Sequence, residues 1–400
     1  MAFEAAAFEF CRGPRVRFGA GTFATLAGEA ARFGQTILVV TGSSSLRTAG
    51  QLDRLLRSLD GQALGHSLVE TRGEPSPELV DEAVAAFRHR SISAVLAIGG
   101  GSVIDAGKAI SAMLPCDGSV RSYLEVVGDR EHPGDKLPFI AVPTTAGTGS
   151  EATKNAVLSS VGSDGFKRSL RHDNFVPELT VIDPELALSC PPELTAACGM
   201  DALCQLLEAY ISTRASPMTD SLARGGLRHA AGGLLPAYAN GSTDLGARAA
   251  MAYASFISGI ALANAGLGVI HGFAASIGGF FPIPHGVVCG SLLAPSMKAT
   301  IEKLRGHGPG SAPALEKLAS AGALLADLPG GDAAGGCDAL VDALYELTDG
   351  LAIPHLGDYG VTASDCEKII EHAGSKNNPV PLDREEMQRI LLERIVQPRR

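Results

Sequence analysis

The residues of this chain with the most chemical capacity are few and far apart. Asp201 and Gln205 stand four positions apart in "GMDALCQLLEAY", on one face of the helix that this stretch opens. His271 and His285 bracket "HGFAASIGGFFPIPH", and His285 is wedged between a proline and a glycine in a chain of 400 residues with 10 histidines. One carboxylate and two imidazoles suit a divalent metal, and three protein ligands leave a coordination position for water or substrate, as a catalytic zinc centre requires. Each residue also has an ordinary reading, Asp201 as a first-turn helix charge and each histidine as a satisfied core or turn residue.

Two glycine- and hydroxyl-rich loops offer a second kind of chemistry. In "AIGGGSVIDAGKAI", Gly99, Gly100 and Gly101 follow an apolar strand and lead into a helix near Ser102. Backbone N–H groups and the positive end of the helix dipole there face an anion. The pattern is neither the GxGxxG dinucleotide fingerprint nor a P-loop ending in GKS or GKT. In "PFIAVPTTAGTGSEAT", Thr144, Thr145, Thr148 and Ser150 are interleaved with Gly147 and Gly149 after another strand. Two such loops at strand ends of one sheet face each other across a crevice, the usual seat of a nucleotide or dinucleotide.

These loops need a sheet to hold them. "TILVVTG" (36–42) and "ISAVLAIGGG" (92–101) are continuous apolar runs of the kind buried on both faces of a parallel sheet. Helical spacing over 52–59 and 76–88, with a strand at 64–69, predicts β/α alternation to about residue 190 and an open, mostly parallel α/β sheet. Two short strands are expected around "RGP" between Phe8 and Phe18, then a helical stretch over 23–32. Beyond "DPELALSCPPE", Ala/Leu-rich stretches with helical spacing take over. The predicted organisation is an α/β domain over 1–187 and an all-α domain over 188–400, with "PGSAP" and "PGGDAAGG" as surface loops between helices.

Composition narrows the partners. With 46% hydrophobic and 19% charged residues the chain can build large cores. Its net charge of -10 and the lack of a dense Lys/Arg run argue against nucleic acid or an anionic membrane, which leaves small molecules. Eight cysteines without a CxxC pair point to a reducing compartment. Neither an export signal nor a spanning run is recognisable, so a cytoplasmic location is expected.

Four stretches, "GGGSVIDAGKA", "PTTAGTGSEAT", "VIDPELALSCPPELTAACGMDAL" and "IHGFAASIGGFFPIPHG", occur in the order found in the iron-containing (group III) alcohol dehydrogenases. The chain resembles that family over nearly its whole length. The resemblance implies a dehydroquinate synthase-like architecture, α/β plus all-α: a Rossmann-like domain with a mostly parallel sheet, then a helical-bundle domain. It also implies an NAD(P)-dependent oxidoreductase that interconverts an alcohol with an aldehyde or ketone by hydride transfer, a divalent iron or zinc ion polarising the substrate oxygen. It assigns the metal to Asp201, Gln205, His271 and His285, and catalysis to Asp201, His271 and His285. The pyrophosphate falls to Gly99, Gly100, Gly101 and Ser102, with Asp105 and Lys108 on the helix behind them. Thr144, Thr145, Thr148 and Ser150 then line the adenine and nicotinamide side, and Lys167 reaches the ribose. A homodimer or higher homo-oligomer, paired through the N-terminal strands, is implied as well.

Three positions depart from the family pattern. Gln205 stands where members carry a histidine, and a neutral amide oxygen is a poorer ligand than imidazole. The related glycerol dehydrogenases hold zinc with the Asp and two His equivalents alone, whereas metal-free catalysis is proposed for maleylacetate reductases. The alternative reading is therefore a metal-independent NAD(P)H reductase of the latter kind, and more remotely a superfamily member that is not an oxidoreductase. Ala275 stands where many members place a proton-relaying histidine, so the proton has another source. Gly42 replaces the aspartate frequent in NAD-preferring relatives, and with Ser43, Ser44 and Ser45 beside it leaves room for a 2′-phosphate, a lean toward NADP. Phe273, Phe280 and Phe281 are the candidates for a substrate pocket.

Overall fold

The computed structural model describes residues 7–326 and 333–395. Its first half is a sheet of six strands, β1 (Arg15–Phe18), β2 (Thr36–Gly42), β3 (Gly65–Thr71), β4 (Ala94–Gly99), β5 (Phe139–Pro143) and β8 (Leu179–Ile182), in the order β1-β8-β5-β4-β2-β3. Every pairing in it is parallel. The apolar runs form strands because both faces are covered: Leu38 and Val40 pack into one core with Val95 and Ala97, while Ile37 and Val39 pack into another with Leu96 and Ile98. Helices α1 (Gln51–Gly61), α2 (Pro77–Phe87) and α3 (Gly101–Met113) supply the covers and crossovers.

Strand order reverses beside β2. The chain goes outward to β3, returns to β4 on the other side, and continues to β5 and β8. The crevice at such a switch point opens at the carboxyl ends of β2 and β4, where Gly42 and Gly99 stand.

Two elements differ from expectation. Only β1 forms in the N-terminal stretch; residues 7–14 are coil. β1 finds β8 to pair with, but no neighbouring strand is placed to pair with the backbone at Phe8 to Cys11. An antiparallel hairpin of β6 (Asn155–Ser160) and β7 (Phe166–Arg171) follows the second loop. Its polar residues gave no apolar run by which to recognise it.

The second half is helical: α4 (Pro192–Ile211), α5 (Pro217–Asn240), α6 (Leu245–Ala265), α7 (Val269–Phe280), α8 (His285–Gly306), α9 (Ala312–Leu325), α10 (Ala333–Gly350), α11 (Cys366–His372) and α12 (Arg384–Ile395). No strand follows Ile182 among the described residues. α4 is buried on nearly all sides and is wrapped by α5, α6 and α8. α6 is long and apolar enough to cross a membrane by length and composition, yet 56% of that window is buried inside the fold. "PGSAP" forms a short turn into α9, and the first four residues of "PGGDAAGG" lie outside the described residues.

Lys108, on the helix behind the first loop, is a structural tie. It is fully buried on α3, and its ammonium donates to the carbonyls of Ser150 at 2.7 Å, Thr153 at 2.9 Å and Asn155 at 2.8 Å. It thereby fastens the second loop and the start of β6 to the helix that follows the first loop. Burial pushes the ammonium down to about 8, against the pull of Asp105 and Glu151. Lys108→Met takes the donor from the Thr153 carbonyl and leaves those of Ser150 and Asn155 with only the longer bonds from Thr153, at about 1–3 kcal/mol for a buried acceptor left unpaired. The variant is expected to lose about 3 kcal/mol of unfolding free energy, read as a lower urea midpoint; an unchanged midpoint contradicts the tie.

Candidate active site

A cleft of about 540 Å³ runs between the strand ends and the helices. Its wall brings together Gly101, Ser102, Asp105, Thr148, Ser150 and Lys167 from the sheet half with Gln205, His271 and His285 from the helical half. Gly42, Ser43, Gly99, Gly100, Thr144 and Thr145 do not line it, although Gly42 and Gly99 end the strands flanking the crevice and Thr144 donates to the Gly99 carbonyl at 2.9 Å. Phe273 is fully buried in the helical core, and Phe280 and Phe281 lie outside the cleft wall.

The anion cradle is built by close packing of the two loops. A Cβ on Gly101 would lie 2.4 Å from the Thr148 hydroxyl, so only glycine lets the loops touch. No side chain caps α3, which leaves its first-turn N–H groups to an incoming anion. Asp105 beside them is buried, with Oδ1 unpaired; burial pushes its carboxyl up to about 6. An orphaned buried acceptor at the cleft wall fits a ligand that brings a hydroxyl or amide donor. Lys167 is paired with Glu74 at 2.9 Å.

The helical wall carries the metal-type donors. Asp201 lies in the middle of α4, which starts at Pro192, so the first-turn reading of its charge does not apply. It is 1% exposed. His271 Nε2 stands 3.4 Å from Asp201 Oδ1, and His285 Nε2 stands 3.8 Å from the same oxygen. Cys289, one helical turn after His285 on α8, places its sulfur 3.8 Å from His271 Nε2 and 3.7 Å from His285 Nε2. Tetrahedral zinc with N and O ligands near 2.1 Å and sulfur near 2.3 Å demands ligand–ligand separations of roughly 3.3–3.7 Å. The four donors therefore fit one ion.

Gln205 takes a different post. Its amide nitrogen donates to Asp201 Oδ1 at 3.3 Å and to the Thr148 carbonyl at 3.2 Å, while its oxygen accepts from Ser258 at 2.7 Å. Both neighbours on the nitrogen side are acceptors, which fixes that orientation. The amide oxygen thus faces Ser258, and Gln205 joins the loop after β5 to Asp201.

Two further residues complete the site without having been singled out from the sequence. Glu208 accepts from His271 Nδ1 at 2.6 Å and from the Ile270 N–H at 2.7 Å, which fixes the ring and frees the Nε2 lone pair. It shares a helix face with Asp201 and Gln205, and that spacing was its only signal. Cys289 is the second, four residues after His285. Burial opposes its thiolate, but the Cys204 thiol and the two imidazoles hold its pKa well below the ordinary thiol range.

The imidazoles are located by backbone packing. The residue after each is a glycine pressed on another element: a Cβ on Gly272 would lie 2.1 Å from the Gly374 carbonyl, and one on Gly286 would lie 2.3 Å from the Ala197 carbonyl. His285 opens α8 directly after Pro284.

Residues 13–184 match the family model "Iron-containing alcohol dehydrogenase", and residues 195–395 match "Fe-containing alcohol dehydrogenase family, C-terminal". Alcohol dehydrogenase 4 of Schizosaccharomyces pombe is 34% identical over 361 residues, covering 89% of this chain and 81% of its own length. The NAD-dependent methanol dehydrogenase of Bacillus methanolicus is 34% identical over 263 residues, 66% of this chain and 67% of its own. The crystal structure of a 1,3-propanediol oxidoreductase superposes with a TM-score of 0.86 at 30% identity, over 97% of this chain and 100% of that one.

Glu208→Gln removes the carboxylate behind His271. Metal affinity is expected to fall by about 10–100-fold, measured by competition with a chromophoric chelator; equal affinity rules out that role for Glu208.

Proposed function

The chain belongs to the iron-containing alcohol dehydrogenase family, and on that premise we propose that it interconverts a small alcohol and its aldehyde or ketone, with NAD(P) as hydride carrier and one divalent metal at the helical wall. The observation that carries this reading is the convergence of Asp201, His271, His285 and Cys289 beside the cradle of Gly101, Ser102 and Thr148 in one cleft.

The metal reading is favoured over a metal-free one because the imidazole missing at Gln205 is matched by a thiol at Cys289. We assign Asp201, His271, His285 and Cys289 as ligands and Gln205 as the residue that orients Asp201. A thiolate in the set favours zinc over iron. Bound there, the ion supplies Lewis acidity toward the substrate oxygen, and the nicotinamide supplies the hydride.

The chain's own residues do the positioning. The uncapped start of α3, with Gly101 and Ser102, binds the pyrophosphate. Asp105 Oδ1 accepts from a coenzyme donor, Thr148 and Ser150 line the path toward the metal, and Lys167 meets the ribose. Glu208 holds His271 in the tautomer that presents Nε2. Burial of Asp201 keeps water from competing for its carboxylate.

Ser43, Ser44 and Ser45 are exposed after Gly42, with no carboxylate there to repel a 2′-phosphate; this supports NADP. Free cysteines throughout support a reducing, cytoplasmic setting. The exposed edge strand β1, with Val16 and Phe18 uncovered, supports a homodimer paired at that edge.

Zinc-loaded protein is expected to consume nicotinamide absorbance when given short aldehydes, and His285→Ala to lose both metal and rate. Cobalt in place of zinc is expected to give a sulfur-to-metal charge-transfer band that Cys289→Ser abolishes. Full activity in protein stripped of metal overturns the reading. Gly42→Asp, which finds its nearest neighbour 3.7 Å away at Val103, is expected to shift the kcat/KM ratio at least about tenfold from NADP toward NAD; an unmoved ratio overturns the coenzyme assignment.

A further inference from the structure

The cleft carries more positive charge than the coenzyme and the metal site account for. Three of its cations are neutralised where they stand: Lys154 by Asp173, Lys167 by Glu74 and Arg171 by Glu125. Three others, Arg168, Arg214 and Lys376, have no carboxylate partner among the described residues. Unneutralised cations gathered in a concave wall of a chain with net charge -10 form a local field opposite in sign to the whole.

Lys376 is the one best placed to act on substrate. Its ammonium donates to the His271 carbonyl at 3.0 Å, which sets it at the metal end of the cleft, away from the pyrophosphate cradle at Gly101 and Ser102. It sits in a segment tied down by two backbone bonds, Asn377 N–H to the Leu267 carbonyl at 3.1 Å and Asn378 N–H to the Ser375 carbonyl at 2.9 Å. Its backbone is left-handed, with φ of 46°, a conformation that costs a non-glycine residue energy. A strained backbone that aims a charged side chain at a metal-type site is the kind of outlier that marks function.

Its charged neighbours are of both signs. Burial pushes the Lys376 ammonium below its ordinary pKa; Glu208 and Cys289 oppose the shift, and Arg171 and Arg168 add to it. Arg168, which has no carboxylate partner among the described residues, adds its like charge to that of Lys376, and a bound anion relieves the repulsion between the two.

We propose that the substrate is a small aldehyde or ketone whose second functional group is an oxyanion (carboxylate, sulfonate or phosphonate), held by Lys376 with Arg168 beside it while the carbonyl meets the metal. This rests on the oxidoreductase reading above. The oxyanion is a spectator to the chemistry: one hydride from NAD(P)H and one proton reduce the carbonyl to a carbinol. Its anchoring fixes which end of a bifunctional molecule points at the metal, so the site selects by charge at one end and by reactivity at the other.

The test compares zinc-loaded enzyme on succinic semialdehyde, sulfoacetaldehyde and phosphonoacetaldehyde with the neutral butanal and propanal. At least one anionic aldehyde is expected to exceed its neutral counterpart tenfold or more in kcat/KM, and the three oxyanions rank the true group. In Lys376→Met that ratio is expected to fall at least tenfold, mainly through KM, with Lys376→Arg and Arg168→Gln in between. Titration calorimetry of the coenzyme-loaded protein with 4-hydroxybutyrate and butan-1-ol reads the same site without turnover. Neutral aldehydes reduced as well as or better than anionic ones, or a ratio unmoved by Lys376→Met, overturn the oxyanion site and leave the oxidoreductase reading standing. No reduction of any aldehyde, with 4-hydroxybutyrate still bound through Lys376, has the opposite meaning: the anion site stands and the oxidoreductase reading falls.

Discussion

A carboxylate buried in the middle of an apolar helix is the constraint around which this molecule is arranged. Asp201 sits in α4 at 1% exposure, where an unpaired charge is costly enough that the fold must supply partners or a cation. It supplies both. The Gln205 amide donates along the same helix face, and two imidazoles from α7 and α8 turn their Nε2 atoms toward one carboxylate oxygen. Glu208, a turn further along α4, then holds one of those rings. The face of a single helix thus sets the centre, and the neighbouring helices are positioned by what that face requires.

The sheet half meets the same centre from the other side. Its switch point puts the start of α3 and the loop after β5 opposite α4, and Lys108 ties that loop to α3 from beneath. The Thr148 carbonyl, in the loop after β5, accepts from Gln205, which also donates to Asp201. The loop after β5 and the buried carboxylate are therefore neighbours through one side chain. Where a histidine would have spent its lone pair on the ion, the amide spends two N–H bonds on joining the two halves.

Much of this was legible in the sequence, for reasons that can be named. β2 and β4 announced themselves as continuous β-branched runs because both faces are buried, and the glycines after β4 stood out because two loops must touch there. Asp201, His271 and His285 were found by residue type. What escaped shared a cause: it depended on where long or polar side chains turn. Lys108 was placed on the helix behind the pyrophosphate loop, yet its four-carbon stem folds back under the second loop and ties it down. Cys289 and Glu208 lay at helical spacing from recognised residues, a signal that was present but only becomes specific once the facing helix is known. The β6–β7 hairpin gives only a short signal, because Ala156, Leu158 and Leu170 reach the core while the polar residues between them face the cleft. The phenylalanines of α7 were assigned to a pocket by neighbourhood, but the helix turns Phe273 inward.

The two histidine–glycine pairs have a mechanical meaning. At Gly272 and Gly286 the main chain rests directly on the main chain of another element, so the Cα of each neighbouring histidine is located by contacts between parts that have no rotamers. Between the fold and each imidazole the only remaining freedom is the ring's own two torsions, and one ring has these taken up by Glu208. Positional error at the centre is therefore inherited from backbone packing, the stiffest material a protein has, and does not accumulate through intervening side chains. Such a seat tolerates drift in the surrounding sequence as long as those two positions carry no methyl.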